Sequence, residues 1–214
     1  IVVFDLDSTL FATAWRNLAI LTEFATQSED EEIKAKVAEI RPDELGWNAS
    51  QPLLRRGIAP ERLSGFFAFW KNRFFTDEYV VLDRPNAGAV DYVGHVHNRG
   101  GFVYYLTGRH VGGMELGTVQ SLTKHRFPYW RGRTTLHLKP SFDMADKAYK
   151  AMAVDDIRSV RGEVVATFDN EPENCNLFQK SFPRALNFFL NTEHSPEPEP
   201  LDEAVLHTDD FIAG

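Results

Sequence analysis

The sequence predicts an α/β fold, a parallel sheet with helices on both faces. Three observations carry this. Strand-like runs alternate with stretches of helical spacing from residue 86 onward, the order that produces parallel strands. The first strand-like run, Ile1 to Phe4, is β-branched and aromatic and reads as a buried strand. Finally, Asp5 and Asp7, Thr107, and Asp169 each fall just past the carboxyl end of an expected strand, where open α/β sheets bind their ligands.

The elements follow in order. After the first strand, Phe11 to Gln27 has helical spacing, with Trp15, Leu18, Leu21 and Phe24 as its apolar stripe. Ser28 with Glu31 reads as a capping box opening a helix through Ile33, Val37 and Ile40, and Pro42 stops it. Asp43 to Ile58 is irregular, with room for a short helical piece around Leu53 to Arg56. Pro60 suits the start of a third helix carrying Leu63, Phe66, Phe67, Trp70 and Phe74. Helix Asn86–Asn98 ends at Gly100-Gly101. Strand Phe102–Leu106, helix Gly112–Arg126, strand Thr134–Leu138 and a helix from about Asp143 to Val160 come next. Strand Val164–Phe168, a helix from Pro172 to Lys180 and strand Leu186–Leu190 complete the alternation. Thr192 to Pro200 is Pro/Glu-rich, and Asp202 to Gly214 reads as a tail packed through Leu206 and Phe211.

Composition bounds the function. The 214 residues suffice for one good-sized domain or a domain with a smaller insert. The 17 phenylalanines supply a core and argue against disorder. A net charge of -8 argues against nucleic acid as the main partner. The single cysteine, Cys175, excludes an intrachain disulfide framework, and no Cys/His zinc spacing exists. No apolar run approaches a membrane span and no signal peptide is apparent. A reducing, cytoplasmic setting is the expectation. The chain opens inside a strand, which leaves room for residues upstream.

The chemistry concentrates at Asp5-Leu6-Asp7-Ser8-Thr9. Carboxylates at the end of a buried strand are costly unless paired or bound to a cation. Side chains two apart on an extended chain face the same way. One such carboxylate can attack an electrophile and form an acyl-phosphate. The other can protonate the leaving group and then deprotonate water. Their mutual repulsion calls for a divalent cation, and hard oxygen ligands suit Mg²⁺.

Asp5-Leu6-Asp7-Ser8-Thr9, Leu106-Thr107-Gly108-Arg109, a lysine, and Phe168-Asp169-Asn170 together resemble the four motifs of the haloacid dehalogenase (HAD) superfamily, over Ile1 to about Leu190. The resemblance implies a Rossmann-like, HAD-type parallel sheet. It implies a core of residues 1–10 and 82–214, with residues 11–81 inserted as a small helical cap. It implies Asp5 as nucleophile and Asp7 as general acid/base, the latter absent from the dehalogenases of the family. Thr107 and Gly108 would hold a phosphoryl oxygen, with Arg109 and His110 close to the substrate. Asp5, the Asp7 carbonyl oxygen and Asp169 would hold Mg²⁺. Lys150 has about the family's shorter spacing to Asp169; Lys147 is the runner-up and Lys139 a third candidate. Many relatives carry a second aspartate at or just after the Asp169 position, where this chain has Asn170, Glu171 and Asn174. Asn170 could orient a water or a side chain, and Glu171 and Glu173 could equally stabilise a helix start.

The implied function is a Mg²⁺-dependent phosphatase acting on a small phosphorylated metabolite through an aspartyl-phosphate. A phosphomutase uses the same residues. A polynucleotide-end or phosphoprotein phosphatase is a further alternative, which the cap argues against, and a catalytically inactive binding protein is the last. Other features have structural readings. Lys124 to Arg133 is basic with Phe127, Tyr129 and Trp130 interleaved, a mixture that can suit nucleic acid, but it precedes a strand and reads as a structural loop opposite the site. His95 and His97 read as structural, His194 and Thr192 as rim residues, and Cys175 as a packed side chain.

Overall fold

The computed structural model describes residues 1–212; Ala213 and Gly214, the end of the expected core segment and tail, lie outside the described residues. Six parallel strands form the sheet: β1 (Val2–Phe4), β4 (Val103–His110), β5 (Thr134–Lys139), β6 (Ala166–Asp169), β7 (Leu186–Leu190) and β8 (Leu206–Thr208). Their order is β5-β4-β1-β6-β7-β8. β1 is central, with Phe4 level with Tyr105 on one side and Phe168 on the other. β1 and β6 end side by side here, whereas β4, expected to stop at Leu106, runs on to His110 through a register shift after Thr107, because its outer partner β5 continues to pair with it; Asp5, Thr107 and Asp169 still come to one rim. A two-stranded ribbon of β2 (Phe11–Ala12) and β3 (Arg84–Pro85) stands beside the sheet.

Helices cover both faces. On one, α6 (Ala89–Asn98) and α7 (Val111–Lys124) pack through Val93 and Leu122 onto Phe4, Tyr105 and Phe168. On the other, α8 (Asp146–Ser159) and α9 (Pro172–Ser181) bury Tyr149, Val154, Ile157 and Phe178 against Val3, Tyr104 and Leu106.

Between β2 and β3 the chain is helical: α1 (Ala14–Gln27), α2 (Glu31–Ala38), α3 (Gln51–Arg55), α4 (Phe66–Phe74) and α5 (Asp77–Val80). These helices own a separate apolar cluster that includes Leu21, Ile33, Val37, Leu53 and Phe66. The β2/β3 ribbon is the neck through which this layer leaves and rejoins the sheet.

Several local expectations change. The cap of α2 is Asp30, whose Oδ1 accepts from the Glu32 and Ile33 amides, because Ser28 Oγ is used by the Asp30 amide. The helix expected from Pro60 is broken: Pro60–Leu63 is a 3-10 turn, and Gly65 at φ +83° restarts the chain as α4. The tail supplies the edge strand β8. Phe211 is buried as expected, but Leu206 faces solvent, since an edge strand has one face uncovered. In α1 the buried set is Ala14, Arg16, Asn17, Ile20, Leu21 and Ala25, whereas Trp15, Leu18 and Phe24 are only half-buried. That helix buries two faces, one inside the helical layer and one against the sheet rim.

Candidate active site

The site is built on the turn that leaves β1. Phe11 returns its amide to the Leu6 carbonyl at 2.8 Å, and Ser8 donates to the Phe11 carbonyl at 2.7 Å. Closing this loop places Ser8 at φ 57°, a strained conformation for a residue with a side chain. Neighbours hold it there. Thr192 Oγ1 donates to the Ser8 carbonyl at 2.5 Å, Asn86 Nδ2 to the Thr9 carbonyl at 2.7 Å, and Thr9 Oγ1 to Asn170 Oδ1 at 3.0 Å. Thr192 thus sits at the rim, as expected, and Asn170 ties two loops together, its Nδ2 donating to the Glu193 carbonyl at 2.6 Å.

Lys150 unites the distant carboxylates. It lies on the buried face of α8, and its Nζ donates to Asp5 Oδ1 at 2.7 Å and to Asp169 Oδ2 at 2.6 Å. All three side chains are buried. Asp169 Oδ1 accepts from the Glu171 amide at 2.9 Å and from Asn174 Nδ2 at 3.0 Å. Burial would lower the Lys150 ammonium, but Asp169 and Asp5 together hold it well above its usual range. Burial pushes the Asp5 carboxyl up against the pull of Lys150, with Asp169 adding to the rise. Two carboxyls around one ammonium leave the cluster short of positive charge.

The other lysines lie elsewhere. Lys147 is exposed and pairs with Glu173 and Glu199 on the outside of α8 and α9. Lys139, at the end of β5, pairs with Asp146 at 2.6 Å. Glu173, the acid expected in the first turn of α9, is therefore a half-buried ion-pair partner of the exposed Lys147. Glu171 is half-buried and accepts from the Ser195 amide at 3.0 Å and its hydroxyl at 2.8 Å, docking the segment after β7 onto the rim. Thr107 is buried, and its Oγ1 accepts from the Arg109 amide at 3.2 Å. Gly108 lies under Asp146, whose carboxylate would stand 3.1 Å from a Cβ placed there.

Asp7 faces a different environment from Asp5. Its Oδ1 accepts from Arg16 Nη2 at 2.6 Å and from Arg109 Nη2 and Nε at 2.7 and 3.1 Å. Both guanidiniums also bond the buried Asp83. Arg16 Nε donates to Asp83 Oδ1 at 2.9 Å and Arg109 Nη2 to Asp83 Oδ2 at 2.8 Å, while Arg16 Nη2 also reaches Asp83 Oδ2. Burial would raise the Asp7 carboxyl, but Arg109 and Arg16 outweigh it and hold it far below the usual carboxylate range. Arg109, expected near substrate, is instead turned inward, its Nη1 on Thr118 Oγ1 at 3.3 Å. Arg16 and Asp83 carried no motif in the sequence. The signal available was chemical: a buried cation needs a buried acid.

The helical layer closes over this rim through aromatic rings. The Arg16 guanidinium lies 4.2 Å from the Phe74 ring centre, and Phe74 stacks on Trp70 at 4.5 Å. Phe75 packs on Phe142 of the β5–α8 connection at 5.0 Å, and His110 meets the same Phe142 at 5.5 Å.

Among the described residues no group of three His, Cys, Asp or Glu side chains is arranged to hold a metal ion. A cation here would have two side-chain carboxylates, Asp5 and Asp169, and would take its remaining ligands from backbone and water. Mg²⁺ is commonly bound in this way. Asp5 Oδ2 accepts no hydrogen bond from the described residues, and the Asp7 carbonyl oxygen accepts none either. The donor set fits a hard divalent cation.

No protein-family model matches the sequence, and no curated protein matches it. Solved structures do. A candidate haloacid dehalogenase-like hydrolase from Burkholderia xenovorans LB400 superposes with TM-score 0.56 at 16% identity, over 98% of this chain and 92% of that one. A candidate phosphatase from Clostridium difficile gives TM-score 0.56 at 12% identity, over 92% and 87%. A HAD-superfamily hydrolase of subfamily IA, variant 1, from Geobacter sulfurreducens PCA gives 0.52 at 12%, over 98% and 91%. The similarity runs through the sheet and the helical layer alike, and the chain has the fold of the HAD-superfamily hydrolases.

Proposed function

We propose that this chain is a Mg²⁺-dependent phosphatase of the HAD superfamily, hydrolysing a small phosphomonoester through an aspartyl-phosphate on Asp5. The observation that carries the reading is the Lys150 ammonium bridging Asp5 and Asp169 at the rim where β1 and β6 end. An α/β scaffold has no structural need for two buried carboxylates and a buried ammonium at that place.

In this reading Asp5 Oδ2, which accepts no hydrogen bond from the described residues, attacks phosphorus in line, and the bond from phosphorus to the leaving oxygen breaks. Lys150 keeps Asp5 oriented and offsets the negative charge that gathers on the phosphoryl oxygens. Thr107 and the Gly108 amide receive one of those oxygens. Asp5, the Asp7 carbonyl and Asp169 would hold Mg²⁺, which supplies charge neutralisation and orientation. Water then attacks the acyl-phosphate, releasing inorganic phosphate and restoring Asp5. Asp7 is the acid/base of these steps. With Arg16 and Arg109 on its Oδ1 it is an acceptor, so it serves as acid only after its contact with the cap residue Arg16 is broken.

Residues 11–81 act as the cap. Phe75 and Phe142 meet across the opening, so the cap selects the leaving group and excludes water. The lone buried thiol, Cys175, agrees with a reducing, cytoplasmic setting.

The test is hydrolysis of p-nitrophenyl phosphate, with Mg²⁺ or with EDTA, and release of free phosphate. Wild type is expected to turn over only with Mg²⁺, and Asp5→Asn to be inert. Turnover that survives Asp5→Asn overturns the nucleophile and the reading with it. Transfer to a second hydroxyl without free phosphate would make the enzyme a mutase.

A further inference from the structure

The loop between α7 and β5 lies at the end of the sheet where strands begin, away from the candidate site. In an acidic chain, residues 124–133 hold Lys124, Arg126, Arg131 and Arg133 and no acid, and residues 84–133 hold only Asp91 and Glu115. Arg99, Lys124, Arg126, Arg131 and Arg133 are all exposed. None makes an ion pair among the described residues, although most of the chain's other basic side chains do. The loop and the end of α6 are joined: His97 Nε2 lies 3.0 Å from the Gly132 carbonyl, and Arg133 Nη2 donates to the His97 carbonyl at 3.4 Å.

The loop also holds a ring out to solvent. Trp130 is 79% exposed, more than any other large apolar side chain described. It is not merely frayed. Phe127 is buried, Tyr105 donates its hydroxyl to the Pro128 carbonyl at 2.9 Å, and the Val103 amide binds the Arg133 carbonyl at 2.9 Å. Between these anchors Tyr129 meets Trp130 edge-on at 4.9 Å. At Arg126, φ 65°, the chain makes the ordinary left-handed turn that closes α7, with the Phe127 amide on the Leu122 carbonyl at 2.9 Å; beyond it the backbone is left-handed again at Trp130 and Arg133, with φ of 60° and 51°. Among the described residues the only other non-glycine with positive φ is Ser8, in the candidate site. Strain of this kind persists where something uses the conformation it enforces.

We propose that this loop, with Arg99 from the end of α6, is a binding surface for single-stranded nucleic acid. The unpaired guanidiniums track the phosphates, and Trp130, backed by Tyr129, offers a face on which a base stacks. The net charge of -8 is a sum over the chain, whereas the affinity for a polyanion is set by the cations that reach it. A membrane is the poorer fit: one exposed ring flanked by Arg131 and Gly132 offers little apolar area to bury. The inference stands apart from the phosphatase reading.

The experiment is fluorescence anisotropy of a labelled oligodeoxythymidine of roughly 20 nucleotides, titrated with the full chain. With about four phosphates neutralised, binding should weaken about 50-fold between roughly 50 and 200 mM salt. Trp130→Ala should weaken it about tenfold at constant salt, with little change in the salt slope. Arg131→Gln with Arg133→Gln should flatten the slope by about 1.4. The variants alter exposed side chains, and a circular dichroism melt verifies their fold. No binding at the lower salt overturns the proposal, as does binding indifferent to both variants. Binding to phosphatidylserine vesicles in place of the oligonucleotide would make the patch a membrane contact and equally overturn it.

Discussion

Arg16→Met tests the buried network around Asp7 most directly. Arg16 is 0% exposed and donates to Asp83, to Asp7 and, through Nη1, to the Phe74 carbonyl at 2.9 Å. Each guanidinium–carboxylate contact is worth about 4 kcal/mol gross at an effective dielectric near ~20. Desolvation of the ions offsets much of that gain. Deleting one partner removes the attraction while leaving the rest of the network buried, and costs about 3–5 kcal/mol. After Arg16→Met, Asp7 and Asp83 share Arg109 alone, one positive charge for two carboxylates. Asp83→Asn leaves the opposite imbalance and a loss of similar size. The double variant Arg16→Met/Asp83→Asn returns the site to one Arg109–Asp7 pair, so its loss falls short of the sum by about 2 kcal/mol. Urea unfolding at pH 7, followed by circular dichroism, gives all four corners of the cycle. The pH dependence has a definite sign. The Asp7 carboxyl sits below its unfolded value, so its stabilisation is present above about pH 4 and is lost as pH falls further. With one guanidinium removed the shift is smaller, and the gap between wild type and Arg16→Met narrows in acid. Additivity within about 0.5 kcal/mol, or an Arg16→Met loss below about 1 kcal/mol, would refute the network as described.

Lys150→Met should lower kcat for p-nitrophenyl phosphate by about 10²–10³-fold, since it removes the cation from both Asp5 and Asp169; steady-state kinetics checks this. Lys147→Ala, removing an exposed side chain bound only to Glu173 and Glu199, should leave kcat unchanged and shift stability by less than about 1 kcal/mol. Mg²⁺ should raise the Tm more at pH 8 than at pH 6 in a thermal-shift assay. The Asp5 carboxyl is raised in the folded chain, so its contribution is greatest below its unfolded pKa and declines as pH rises through the folded value; a cation that binds the ionised form recovers the loss at high pH. Asp5→Asn should abolish that pH-dependent part of the Mg²⁺ effect.

The sheet was legible because its strands repeat one local pattern. Leu186–Leu190 coincides with β7, and the other main-sheet strands expected from the sequence agree to within a few residues. Of the main-sheet strands only β8 was missed, since a three-residue edge strand with exposed Leu206 and His207 has no pattern to display; the two-residue strands β2 and β3 were missed as well, and Phe11, expected in the first helix, belongs to β2. Helix starts were less legible. The helix expected from residue 86 begins at Ala89, because Gly88 at φ 74° makes the turn that precedes it. Of the site, the spacing of Lys150 to Asp169 distinguished it from Lys147 three residues away, and the structure brings Lys150 alone of the two to the carboxylates. Motifs report residues at strand ends, which is why they said nothing of Asn86 or Ser195, which hold those loops; Thr192 was placed at the rim only by its position after β7.

Arg16 shows why the rest stayed hidden. Periodicity assigns a helix one apolar stripe, and Trp15, Leu18, Leu21 and Phe24 satisfied it. A helix lying between two layers has two buried faces, however, and the second is polar where it meets charge. On α1 that face carries Arg16 and Asn17, the latter accepting from Trp70 Nε1 at 2.8 Å. Trp15 meanwhile stacks on Arg84 at 3.3 Å, at the neck. A cation buried on such a face requires acids from outside its own helix, and they came from Asp7 and Asp83, which flank the helical layer. Because Arg16 grips both at once, movement of the helical layer cannot leave Asp7 undisturbed. In the proposed cap role, movement of the helical layer changes the Arg16 contact to Asp7 while Arg109 continues to hold it; a substitution at Asp83, which touches no reacting atom in the proposed mechanism, should be felt at Asp7 through both guanidiniums.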